Sequence, residues 1–68
     1  MSGMTLRALL ENGLIKDKDT ITIAKPLTGN ACDMRKGKWF NDSILEYLNA
    51  EIRELSWDEN NGYSIALK

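Results

Sequence analysis

Residues 34–57 read MRKGKWFNDSILEYLNAEIRELSW, and the way this run divides decides the fold. Ile44, Leu45, Tyr47 and Leu48 recur at helical spacing behind Asn41, Asp42 and Ser43, whose side-chain oxygens suit a helix start. Ile52 and Leu55 keep the same period, so one helix reaching to about Ser56 is one reading. The other ends the helix at 49 and opens a strand over 51–57, with Arg53, Leu55 and Trp57 on one side. The second reading is preferred because residues 63–67 alternate as a strand, and that strand needs a neighbour. A hairpin through 58–62, with Asn61-Gly62 as its turn signal, supplies one.

Upstream, Thr20-Ile21-Thr22-Ile23-Ala24-Lys25 alternates with period two, and Ile21 and Ile23 are expected to face a core. Pro26 lacks a donor and ends that strand. Residues 31–40 return as its hairpin partner, with Gly37 marking an expected bulge. Trp39 and Phe40 then point to opposite sides, or else the strand stops near Lys38 and both rings lie at its mouth. Further upstream, Thr5 caps a helix over 6–12 whose stripe is Leu6, Leu9 and Leu10. Gly13 is its stop, and Leu14 and Ile15 are expected to pack back on the stripe.

The element order is therefore α-β-β-α-β-β. The expected fold is α+β, a small antiparallel sheet with two short helices on one face. Thr5-Leu6-x-x-Leu9-Leu10 echoes Ser43-Ile44-x-x-Tyr47-Leu48, each leading into a hairpin. Residues 4–68 form one domain, and residues 1–3 read as a cloning remnant or a disordered N-terminus.

A chain of 68 residues buries only about 60% of its unfolded surface and has a small stability margin. One cysteine excludes an internal disulfide, and without histidine it cannot build a thiolate–imidazole zinc site. No metal and no cofactor are expected. A partner chain, identical or not, is the expected staple, which makes a homodimer one expectation. The net charge of −1 gives no global field for nucleic acid or an anionic membrane. No apolar run is long enough to cross a bilayer, so no membrane is expected and the expected location is the cytoplasm. Cys32 reads as a reduced, packed small side chain, and Tyr47, Trp57 and Tyr63 as core or core-edge residues.

The same composition argues against an enzyme. Without histidine the commonest general base at neutral pH is missing, and with it the Ser-His-Asp and Cys-His nucleophiles. One constellation carries a binding reading. Arg35, Lys36 and Lys38 stand beside Trp39 and Phe40. Trp39, Phe40 and Arg35 are side-chain types favoured at the centre of protein interfaces. Arg35, Lys36, Lys38 and Trp39 could instead grip a phosphate and stack a base, which makes a nucleotide or nucleic acid the alternative ligand.

The runs TLRALLENGLIKDKDTITIAK and KGKWFNDSILEYLNAEI, together with a short terminal strand, resemble small phage and prophage accessory proteins of Gram-positive bacteria. The resemblance implies a protein made in the host cytosol that binds a host component, in some cases to inhibit a defence system. It implies no catalytic or ligand-binding residues.

Overall fold

The computed structural model describes residues 4–68. The reading of residues 1–3 as a remnant or a disordered end lies outside the described residues. The elements are α1 (Leu6–Glu11), β1 (Ile21–Pro26), β2 (Cys32–Gly37), α2 (Asp42–Leu45), β3 (Ile52–Asp58) and β4 (Gly62–Leu67).

The Thr5 hydroxyl accepts from the Ala8 N–H at 3.2 Å and so caps α1. At the other end Gly13 takes φ +76°. The Gly13 N–H reaches the Leu10 carbonyl at 3.1 Å and the Leu14 N–H reaches the Leu9 carbonyl at 3.1 Å. This is the paired-bond Schellman stop that a left-handed glycine permits. It turns the chain so that Ile15 is buried, while Leu14, expected to pack with it, stays largely exposed.

The division of residues 34–57 is helix, then strand. α2 is shorter than the expected 43–49. Beyond it Tyr47, Leu48 and Ala50 donate to carbonyls three residues back, so the chain tightens into turns instead of continuing a helix. Those turns are held from outside by the Arg7 N–H on the Leu48 carbonyl at 2.9 Å. They bring residue 52 to the sheet, where the Ile52 N–H meets the Met4 carbonyl at 2.7 Å.

The sheet is mixed, which corrects the expected antiparallel sheet. Its strand order is β2-β1-β4-β3. β1 pairs antiparallel with β2 and β3 antiparallel with β4, but the central pair β1 and β4 is parallel, with Ile23 opposite Ile65 and Ala24 opposite Ala66. The connection is the reason. A hairpin fixes antiparallel pairing only inside itself. The segment containing α2 carries the chain from one edge strand, β2, to the other, β3, and these run in the same direction. The inner strands therefore meet parallel. The sequence echo between the halves stops at the helices, because β1 lies inside the sheet and its counterpart β3 lies at an edge.

One cluster forms the core. It joins Leu6 and Leu9 of α1, Ile15, Ile21 and Ile23 of β1, Ile44 of α2, and Ile65 and Leu67 of β4. Other expectations need correction. The ladder irregularity falls between Ile52 and Glu54, not at Gly37. Arg53 is therefore an extra residue, and only Leu55 and Trp57 share the side that pairs with Ile65 and Tyr63. Trp57, expected in or beside the core, is 62% exposed. It lies on the edge strand β3, opposite Tyr63 of β4. Cys32 is exposed, since its alternate position on β2 points away from the core. Among the described residues no helix is long and apolar enough to cross a membrane.

Candidate functional site

Trp39 and Phe40 come just after β2, so both rings lie at the strand's mouth. A turn closed by the Asn41 N–H on the Lys38 carbonyl at 3.0 Å carries them. The Asn41 side-chain oxygen accepts the Lys38 N–H at 2.6 Å and locks the same turn. Trp39 packs against the core cluster, and its indole N–H donates to the Asp17 carboxylate at 2.6 Å. Phe40 meets the indole edge to face, with ring centroids 5.7 Å apart and planes at 86°, a favoured aromatic geometry. Phe40 itself is 50% exposed. The two rings form a knuckle, one ring anchored and one presented. Beside it lies a recess of about 250 Å³ lined by Leu10, Glu11, Ile15, Asp17 and Trp39.

The basic residues do not converge with it on one surface. Arg35 lies on the helix side of β2, opposite Ile23. Its Nε is 3.0 Å from Asp33, and one terminal nitrogen is 2.8 Å from Glu46 and 2.9 Å from the Ser43 carbonyl. Its guanidinium carbon sits 4.6 Å over the Tyr47 ring. Tyr47 closes the cluster by donating its hydroxyl to Asp33 at 2.6 Å. That hydrogen bond holds the Asp33 carboxyl below its usual pKa against the opposing cost of desolvation, with Arg35 adding to the lowering. The same bond pushes the Tyr47 phenol upward, with desolvation acting in the same direction. Arg35 is thus a clasp between β2 and α2. Lys36 is on the opposite face of the sheet, across from Thr22. Lys38 lies past the strand, with its ammonium on the Lys18 carbonyl at 2.7 Å.

Of the residues singled out from sequence, the structure brings Trp39 and Phe40 together and scatters Arg35, Lys36 and Lys38. Sequence reasoning missed Asp17, which fixes the indole from a turn 22 positions away. Only the Lys-Asp alternation around it marked that turn as polar. It also missed Leu10 and Glu11, which reach the recess through the end of α1. Among the described residues no group of His, Cys, Asp or Glu is placed to hold a metal ion. The chain matches no protein-family model, no curated protein and no solved structure.

Proposed function

We propose that this chain is a non-enzymatic protein-interaction module that engages its partner through the Trp39–Phe40 knuckle. The observation that carries the reading is the exposed Phe40 ring held against an anchored Trp39. A presented aromatic normally loses side-chain freedom on binding. Here the brace has already restricted it, so less entropy opposes association. The partner in this reading is a host protein that the chain binds and inhibits, as the resemblance to phage accessory proteins suggests. The dispersal of the three cations weakens the alternative of a nucleotide or nucleic-acid grip, because such a grip needs its charges along one groove.

Phe40→Ala tests the reading. It removes the presented ring and leaves the anchored one. Immobilised wild-type chain should retain one partner protein from a bacterial lysate, and the variant should lose it by at least about tenfold. The variant's circular dichroism melt should match that of wild type. Equal retention by both chains would remove the knuckle as the site.

A further inference from the structure

The helices cover one face of the sheet. On the other face, the outward residues of the two central strands are Thr22 and Ala24 of β1 and Ser64 and Ala66 of β4, set side by side in register. All four side chains are small. A taller wall of Met34 and Lys36 stands along β2, and Glu54 with Ser56 stands along β3. The floor, with Met34 on one flank and Glu54 and Ser56 on the other, encloses a trough of about 220 Å³, and Lys36 stands outside its lining at the Thr22 end. Met34 leans over it 61% exposed.

We propose that this trough is a docking groove for an amphipathic α-helix of a partner protein, lying along the strands. Dimensions favour that occupant. The two outer strands are three interstrand spacings apart, about 14 Å, and a helix with its side chains is about 10–12 Å across. The small floor supplies room and the helix supplies bulk, with an apolar ridge over Ala24 and Ala66. Met34 supplies an adaptable apolar wall. The two floor strands lie in register over four residues, about 13 Å, so a helix of about 13 residues covers the floor and overhangs its ends.

Charge narrows the occupant further. Among the described residues Lys36 makes no salt bridge, and Glu54 has only a 3.5 Å contact with its neighbour Arg53. The β2 flank therefore continues from Met34 to a cation, and the β3 flank carries a carboxylate. The helix that fits carries acidic side chains along one flank and basic ones along the other. A second copy of this chain fits less well. Two such troughs laid face to face touch at their walls and hold their floors apart. The chain's own helices, six and four residues long, already spend their apolar residues on the opposite face.

The probe is a lactam-bridged helical peptide of about 13 residues. It carries leucines at i, i+4, i+7 and i+11, glutamates along one flank and lysines along the other. Titrated into isotope-labelled protein, it should shift the amide signals of Thr22, Ala24, Met34, Ser64 and Ala66, and saturate below about 1 mM. Ala66→Leu fills the floor from the solvent side and should weaken binding about tenfold with the melt retained. Glu54→Lys should weaken it about threefold. That variant should also bind a peptide with glutamates on both flanks better than wild type does. Phe40→Ala should bind the probe as wild type does, which separates this groove from the knuckle. The proposal is overturned by absence of shifts at about 1 mM, by shifts centred on Trp39 and Phe40, or by groove variants that bind like wild type. Shifts at the floor residues that grow with protein concentration alone would assign the face to a second copy instead.

Discussion

Asp33 sits at the centre of the cluster that ties β2 to α2. It accepts from Tyr47 and Arg35 while Arg35 also holds Glu46 and the Ser43 carbonyl. The carboxyl's lowered pKa has a definite sign for stability. The ionised form is favoured in the folded chain, so the contribution is complete above the unfolded value of about 3.9. It is lost as pH falls from there through the folded value. Carbon-detected titration should place Asp33 below an ordinary aspartate, and Tyr47→Phe should move it upward. Urea midpoints should fall between pH 6 and pH 3 less steeply in Asp33→Asn than in wild type. An Asp33 that titrates normally would remove the clasp. At the same scale, Trp39 and Phe40 should part company. Trp39→Ala opens the core edge and loses the Asp17 bond, so it should lower the melting temperature, while Phe40→Ala should not. The sequence marked both rings as a pair but carried no sign of which one is anchored. That depends on Asp17, brought in from a distant turn.

At the scale of elements, two glycines bear different loads. Gly13 and Gly62 both have positive φ, +76° and +75°. A Cβ at Gly13 meets nothing, whereas one at Gly62 would collide with the Thr20 carbonyl. Gly13→Ala should cost roughly 1–2 kcal/mol through the left-handed backbone alone. Gly62→Ala should cost more, because β4 must also move away from Thr20, whose carbonyl accepts the Tyr63 N–H at 2.9 Å. Comparing the two melts checks the order, and equal losses would contradict the close approach. Gly62 comes after a turn in which the Asn61 N–H meets the Asp58 carbonyl at 3.2 Å. This is the three-residue hairpin with a left-handed glycine. The elements were largely legible. The Thr-Ile alternation set β1, and Gly13 set the end of α1. The pairing of the two hairpins was not, because alternation says which residues face inward but not which strand lies alongside. Trp57 misled for the same reason. Its period placed it on the core-facing side, while its exposure goes with its place on an edge strand.

At the scale of the whole molecule, eight buried residues among those described carry the core. Ile44 is the only buried residue of α2. Ile44→Ala should cost about 2–5 kcal/mol. A domain of this size has a margin of roughly 0.05–0.15 kcal/mol per residue, so the variant should lose a large share of its stability and unfold at a markedly lower denaturant concentration. Denaturant titration checks it, and a loss under about 1 kcal/mol would mean that α2 is not docked on the core. The same thin margin makes surfaces informative. The open trough leaves small side chains at Ala24 and Ala66, where a solvated face usually bears long polar ones. That pattern was visible in the sequence as alternation of small residues through β1 and β4. Its meaning depends on those strands lying side by side, which only the parallel pairing establishes. The proposed interaction function rests on the other surface, the aromatic knuckle, and a single pull-down tests it. Immobilised wild type, Phe40→Ala and Lys38→Glu chains are exposed to one bacterial lysate with and without nuclease treatment, and the bound proteins are quantified by mass spectrometry. One protein should be retained in near-stoichiometric amount by wild type and by Lys38→Glu, and lost from Phe40→Ala. Recovery that vanishes with nuclease or with Lys38→Glu, while persisting in Phe40→Ala, would contradict the knuckle as the binding site.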